Sequence, residues 1–195
     1  MNQSPSQRRL FRAALVPGCL LFLAAAPIKA QTPADPDFPP TVEVASETLH
    51  IVGSGIYRFA RLFKVCAAAL YLPEGVGPER ALEDIPKHLE IFYYRDVTAA
   101  QFIDMGDSTL RKNVTRTEWD RIQPQLKEFN RLYRNVQAGD RYSLAYHPDT
   151  GLILSLNDEV LGIIEDSEFA PLYYRIWLGE ESVNNRFRDE ILGLR

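Results

Sequence analysis

Apolar residues alternate with polar ones over several short segments, and this period of two predicts half-buried β-strands. Val42 and Val44 alternate first, and Leu49 and Ile51 follow after a turn short enough for a hairpin. Further strands are predicted over residues 89–93, 142–146, 152–156 and 160–164. Because the turns between the last three are also short, we expect the strands to be mainly antiparallel.

Residues 61–72 form one long, mostly apolar run. Its three alanines favour a helix, whereas its glycine-rich flanks and its end at Pro73 favour a strand that is covered on both faces. We predict the strand, with a break before it at residues 53–55. Alternation then places Leu62, Lys64, Cys66, Ala68 and Leu70 on one face and Phe63, Val65, Ala67, Ala69 and Tyr71 on the other.

Apolar residues at spacings of three and four predict helices in two parts of the chain. Capping boxes begin the first two helices at Thr98 and Thr115. The first is expected to reach about Asn113, and the second to continue to Gly139 with a kink at Pro124. Further helices are predicted over residues 78–84, 169–177 and 183–194.

The order of elements is therefore strands, two helices, strands and two helices. This order predicts the α+β class, with a mainly antiparallel sheet and helices packed over one face. A length of 195 residues, with 46% hydrophobic and 25% charged residues, suits one globular domain. We place that domain at residues 41–195.

The first 30 residues have the layout of a cleaved secretory signal. A basic start is followed by an apolar run over residues 13–26, and Ala30 is expected to be the last residue removed. A stable membrane span is not expected, because the run is shorter than the roughly 20 residues needed to cross a bilayer. The paired Arg8 and Arg9 fit either a general secretory or a twin-arginine signal, so we expect a periplasmic or secreted protein. Residues 31–40 contain four prolines and predict a linker or a loose arm.

The net charge and the number of potential metal ligands argue against several classes of function. The first 30 residues hold four basic residues and no acid, so their removal changes the net charge from −4 to −8. This sign argues against nucleic-acid binding. Three scattered histidines and two cysteines predict neither a metal site nor a cofactor motif. Cys66 lies in an apolar strand, where core packing is expected rather than nucleophilic catalysis.

Arg58 is the residue that most clearly points to a ligand. It lies between a glycine-rich segment and the long apolar strand, with Tyr57 and Phe59 on either side. An arginine held against apolar surroundings keeps its charge, so it needs an anionic partner. That partner is either a ligand or a carboxylate of the protein, and a plain surface arginine is also compatible with the pattern.

Four segments of the chain resemble the chalcone isomerase-like proteins of bacteria: GSGIYRFARLFKVCAAALYLPEG, YYRDVTAAQF, AGDRYSLAYHPDTG and IIEDSEFAPLYYRIWLGE. The resemblance covers about residues 42–194. It implies an open-faced β-sandwich with the ligand between sheet and helices. The family holds isomerases that close a chalcone into a flavanone, and carriers that hold a fatty-acid carboxylate on an arginine.

The resemblance also implies which residues form the ligand site. The family arginine matches Arg58, and the polar positions of the enzymes fall on Cys66, Phe102, Thr109 and Ala170. Phe102 and Ala170 cannot donate a hydrogen bond, and a thiol is a weak donor. Because loss of one such donor costs about 10²–10³ in rate, we expect no chalcone cyclisation and assign no catalytic residue.

The leading hypothesis is an exported, non-catalytic protein that binds an amphiphilic carboxylate such as a fatty acid, with Arg58 at the head group. The tail would lie among Leu62, Cys66, Ala68, Leu70, Phe102, Phe169 and Tyr173. The small residues of this strand equally suit close packing without a cavity. Two alternatives stay open: an isomerase of another substrate, with donors among Tyr57, Lys64, Tyr93 and Thr109, and an accessory protein that acts through its surface.

Overall fold

The computed structural model describes residues 33–195, and Thr32–Arg195 form one compact unit with its own core. The predicted signal, residues 1–30, lies outside the described residues. Seven antiparallel strands form one curled sheet in sequence order. They are β1 (Thr41–Val44), β2 (Glu47–Phe59), β3 (Phe63–Pro73), β4 (Lys87–Tyr93), β5 (Arg141–His147), β6 (Gly151–Leu156) and β7 (Glu159–Ile164).

In the described part of the chain five α-helices accompany the sheet: α1 (Ala99–Asn113), α2 (Arg116–Asn130), α3 (Phe169–Tyr173), α4 (Arg175–Leu178) and α5 (Asn185–Ile191). A 3-10 turn, Pro78–Arg80, stands where residues 78–84 predicted a short helix. All five helices contribute to one apolar core with the same face of the sheet. The predicted α+β class is therefore confirmed. Within residues 33–195, no helix combines the length and the apolar character that crossing a bilayer requires.

Both predicted capping boxes are present. The Thr98 hydroxyl accepts from the Gln101 amide at 3.3 Å, and the Gln101 side chain accepts from the Thr98 amide at 2.9 Å. Thr115 begins α2 in the same way. These signals are local, so the sequence alone was sufficient to place both helix starts.

The predicted end of α2 at Gly139 is wrong, because the helix ends at Asn130. Beyond it the backbone finds other partners: Val136 pairs with Val97, and the Tyr142 hydroxyl accepts from the Arg134 amide at 2.8 Å. The apolar spacing continues past the helix because Val136 is still buried, although in an extended segment. The single helix predicted over residues 169–177 is also divided in two, at the fully buried Tyr174.

Strand β3 is covered on both faces, as predicted. Cys66, Ala68 and Leu70 lie under the helices, whereas Ala69 and Tyr71 are buried on the opposite face. The prediction fails over the first four residues of the run, where Lys64, predicted on the face of Cys66, pairs with Asp35 on the opposite face. Leu62 precedes the strand and is 79% exposed, so it cannot line a buried tail site, and Phe63 is exposed too.

The proline-rich segment before β1 packs on the outer face of the sheet. Phe38 contacts the two small apolar clusters of that face. The Asp35 carboxylate accepts a hydrogen bond from the Tyr94 hydroxyl at 2.6 Å and pairs with Lys64. The Lys64 ammonium holds the pKa of Asp35 below its usual range. Residues 35–38 thus cover part of the sheet, where the sequence predicted a linker or a loose arm.

The break predicted at residues 53–55 does not occur, because β2 continues through both glycines. Helix α5 crosses the strand here. A Cβ atom on Gly53 would lie 2.5 Å from the Glu190 carbonyl oxygen and from the Gly193 amide nitrogen. The glycines therefore allow a helix near the end of the chain to approach the strand backbone.

Two glycine substitutions test this packing. Gly53→Ala places a methyl group against backbone atoms of the α5 region, so we expect a loss of about 2 kcal/mol in the free energy of unfolding. Gly106→Ala in α1 is the control, since its Cβ would lie 3.6 Å from the nearest atom, Ile176 Cδ1. It should stabilise by about 0.5–1 kcal/mol. Urea denaturation measures both, and equal effects would contradict the account.

Lys87 is fully buried between Tyr146 and Tyr174, and its burial predicts how the stability of the protein depends on pH. Burial lowers the pKa of Lys87 to about 8. Above that pH the unfolded chain binds a proton that the folded chain does not hold, so this residue makes stability rise with pH. We expect a gain of about 1 kcal/mol between pH 8 and 9 from urea denaturation. Lys87→Met should abolish that gain, and an unchanged slope would contradict it.

Candidate ligand-binding site

An apolar cavity of about 60 Å³ lies between the helices and the sheet, at the end of the core where β2 and β3 begin their hairpin. Its floor comes from β2 to β6, and its roof comes from α1, α3, α4 and α5 with loop residues Val97, Tyr133 and Val183. The aromatic and sulfur-containing residues of its wall are Tyr57, Cys66, Tyr93, Phe102, Met105, Tyr133, Tyr142, Tyr173, Trp177 and Phe187. Among residues 33–195, none of those that line the cavity carries a charge.

The floor centres on one row of side chains across three strands. Cys66 pairs in register with Tyr57 on β2 and with Tyr93 on β4, so all three project from the same face. Burial raises the pKa of the Cys66 thiol to about 12. The thiol therefore stays protonated, and it acts as wall of the cavity rather than as a nucleophile.

The roof is an aromatic cluster centred on Phe102. Its ring stacks on Tyr133 with 5.4 Å between centroids, and meets Tyr142 and Tyr93 edge-on at 5.5 and 5.3 Å. The Tyr133 and Tyr173 hydroxyls lie 2.7 Å apart and share a hydrogen bond. These rings occupy most of the space between the layers, which is why the cavity is small.

The tyrosine hydroxyls of the cavity differ in whether they can still form a hydrogen bond with a ligand. The Tyr142 hydroxyl already accepts from the Arg134 amide and donates to the Arg134 carbonyl oxygen, at 2.8 and 2.9 Å. The Tyr57 and Tyr93 hydroxyls have no hydrogen-bond partner among residues 33–195. Burial raises the pKa of Tyr93 well above its usual value, so this hydroxyl is a neutral donor.

Arg58 does not line the cavity. It follows Tyr57 at a β-bulge and lies in an open polar cleft together with Arg61 and Arg186. Phe187 borders both the cleft and the cavity, so the two adjoin. Arg58 makes no ion pair with any residue from 33 to 195, and its one hydrogen bond there is long, 3.5 Å to the Ile56 carbonyl oxygen.

The cleft is basic but not uniformly so. Glu181 contributes one acid, and Arg186 pairs with Glu190 at 2.9 Å. Ser182, Asn184 and Asn185 supply further polar groups. Three guanidinium groups beside neutral donors can bind a carboxylate or a phosphate through charge-assisted hydrogen bonds.

The structure brings together only part of the predicted site. Cys66 and Phe102 line the cavity, and Arg58 lies in the adjoining cleft. Thr109 is buried on α1 one turn beyond the cavity wall, and Ala170 is fully buried in α3 away from it. Of the other residues expected around the tail, Tyr173 lines the cavity, whereas Ala68, Leu70 and Phe169 belong to the surrounding core.

Sequence reasoning missed much of the wall, for example Met105, Phe187, Tyr133 and Tyr142, and two arginines of the cleft, Arg61 and Arg186. Tyr133 and Tyr142 enter the cavity, although the first was read as helix core and the second as an ordinary strand residue. Arg186 was read as part of a solvated helix face. Its position beside Arg58 depends on α5 crossing β2, and no local pattern reports that crossing.

Comparisons with known proteins agree with this architecture. The family model for chalcone isomerase-like proteins matches residues 30–193, which confirms the resemblance inferred from the sequence. Among solved structures, a fatty-acid-binding protein of Arabidopsis thaliana is similar, with a TM-score of 0.63 and 12% identity over 80% of this chain and 91% of that one. An identity this low shows a shared fold alone. No curated protein sequence matches the chain at a significant level.

The role of Phe102 as the centre of the roof can be tested by truncation. Phe102→Ala removes a buried ring that contacts three tyrosines, so we expect unfolding to become easier by about 3 kcal/mol. Met105→Ala on the same helix is the control; its side chain is 38% exposed, and a loss below about 1 kcal/mol is expected. Similar losses for the two variants in urea denaturation would show that Phe102 does not hold the roof.

Proposed function

The chain belongs to the chalcone isomerase-like family, and from that premise we propose that it binds an amphiphilic carboxylate such as a fatty acid without transforming it. One observation carries the proposal: an uncharged apolar cavity adjoins a cleft with three arginines. Such a pairing of an apolar space with a cationic rim matches the two ends of a long-chain acid.

The tail would occupy the cavity and the head group the cleft. Burial of an alkyl chain is favourable by about 0.8 kcal/mol per CH₂. A carboxylate buried among the cavity residues would have no opposite charge beside it, which is costly. In the cleft, Arg58 has no ion pair with a residue from 33 to 195, so its guanidinium is available. Phe187 would mark the point where the ligand passes from one space into the other.

Tail binding requires the aromatic roof to open. A cavity of about 60 Å³ is smaller than the roughly 300 Å³ at which small-molecule pockets begin. The rings of Phe102 and Tyr133 would have to separate from the floor, and the energy for this would come from burial of the tail. Tyr57 and Val183, both half-buried, lie at the edge from which the tail would enter.

The separation of the arginines from the apolar cavity also makes an isomerase a weaker hypothesis than a binding protein. Cyclisation of a chalcone develops through a phenolate, which the family's arginine stabilises beside the reacting atoms. No charged residue of the described part of the chain lines the cavity, and Phe102 and Ala170 provide no donor. The Tyr57 and Tyr93 hydroxyls are available, but two neutral donors do not replace a cation.

Two further considerations support the proposal. The Arabidopsis neighbour is a fatty-acid-binding protein, so a two-layer fold of this kind is compatible with an acyl ligand. Residues 1–30 have the layout of a secretory signal, and on this account the ligand is met in the periplasm or outside the cell.

The head-group assignment is tested by titrating residues 32–195 with a fluorescent long-chain fatty acid. Arg58→Ala should weaken binding by about tenfold or more, because it removes a charge-assisted contact. Arg116→Ala on α2 is the matched control, since this arginine is 95% exposed and does not line the cleft, and it should leave the affinity unchanged.

The uncharged methyl ester of the same acid tests binding of the tail separately from binding of the head group. It should bind the wild-type chain and the Arg58→Ala variant equally, because it has no carboxylate. If the acid binds but Arg58→Ala has no effect, the head group lies elsewhere. If neither acid nor ester binds the wild-type chain, the carrier function is excluded and the surface-acting alternative takes its place.

A further inference from the structure

The turn between β2 and β3 projects three large apolar side chains into solvent. Phe59, Leu62 and Phe63 are 62%, 79% and 53% exposed. They account for three of the seven large apolar residues exposed within residues 33–195, and all three lie within five positions. A cluster of this kind marks an interaction site, whereas single exposed apolar residues need no explanation.

The backbone fixes this arrangement. Ala60 and Arg61 both have positive φ, 49° and 64°, and the Leu62 amide donates to the Phe59 carbonyl oxygen at 3.2 Å. This is the two-residue hairpin turn that Asn-Gly or Gly usually forms without strain. Because neither residue here is glycine, the tight tip is maintained at a conformational cost.

Basic residues surround the apolar tip. Arg58 and Arg61 lie at the turn, and the Arg95 guanidinium lies 5.9 Å from the centre of the Phe63 ring. None of these three arginines forms an ion pair with a residue from 33 to 195, whereas Lys64 is paired with Asp35. The local excess of positive charge stands out on a chain whose net charge is −4.

We propose that this hairpin tip docks on the surface of an anionic lipid bilayer. The side chains of Phe59, Leu62 and Phe63 would enter the boundary between head groups and acyl chains, where aromatic and leucine side chains are favoured. The three surrounding arginines would contact lipid phosphates. Charge complementarity is what selects this partner, since three guanidinium groups with no ion pair to residues 33–195 surround an apolar tip and match phosphates above an acyl layer.

Docking also gives the basic cleft a position relative to the bilayer. Arg58 and Arg61 belong to both the tip and the cleft, so a docked tip brings the cleft to the bilayer surface. An amphiphilic carboxylate could then pass between bilayer and cavity without crossing water. Only this last step rests on the proposed function; the docking itself does not.

Vesicle sedimentation of residues 32–195 tests the docking. The probes are vesicles of phosphatidylcholine alone and vesicles that also contain phosphatidylglycerol. We expect binding to the anionic vesicles, weakened by added salt. Arg61→Glu should reduce it at least fivefold, the effect of about one surface charge, and Leu62→Ser should also reduce it several-fold.

Matched variants elsewhere on the surface distinguish docking of the tip from nonspecific electrostatic or hydrophobic adsorption to the vesicles. Arg116→Glu makes the same change in net charge on α2, and Val160→Ser removes a residue of β7 that is 57% exposed. Both should bind anionic vesicles like the wild-type chain. Equal losses for tip and control variants, or no binding of the wild-type chain, would overturn the proposal and leave the tip as a contact for a protein.

The outcome is independent of the ligand assay. A chain that binds a fatty acid in solution but no vesicle would exclude the docking and leave the carrier function intact. A chain that binds anionic vesicles through the tip but no fatty acid would exclude the carrier function and leave the docking intact. Leu62→Ser should retain fatty-acid affinity in solution, because Leu62 lines neither the cavity nor the cleft.

Discussion

Strand β3 has to be covered on both of its faces, and the rest of the architecture follows from that requirement. Its residues from Cys66 to Leu72 are all buried. Burial of this run takes a helical layer on one side and, on the other, the curled edge of the sheet with the segment around Phe38. The small side chains at residues 66–69 let both layers approach closely. Glycines on the neighbouring strand β2 extend the same close approach to α5.

The cost of burying an unpaired charge then decides where the site can bind an anion. Tyr57 projects into the cavity, whereas Arg58, one residue and one bulge further on, lies in the cleft outside it. The cavity thus stays apolar, and the guanidinium groups lie beside it in the open cleft. In this account a ligand with a charged head and an apolar tail satisfies both regions, and Phe187 separates them.

The sequence predicted the features that depend on neighbouring residues. The capping boxes at Thr98 and Thr115 and the hairpins are local. The pattern of β3 is compatible with a helix as well, but it was sufficient to predict a strand. Features that depend on distant packing were not predictable. The role of Gly53 depends on Glu190, and the face on which Arg58 lies depends on a bulge against β3. Of the residues that the family resemblance named, Cys66 and Phe102 line the cavity, whereas Thr109 and Ala170 do not. Position along an element does not fix the extent of an internal space.

The most direct measurement is a crystal structure of residues 32–195 with a bound long-chain fatty acid. We expect a carboxylate within hydrogen-bond distance of the Arg58 guanidinium, and a tail that passes Phe187 and separates Phe102 and Tyr133 from the floor of the cavity. A carboxylate enclosed among the uncharged cavity residues would contradict the account. So would a tail bound on the outer face of the sheet while the aromatic roof stays closed.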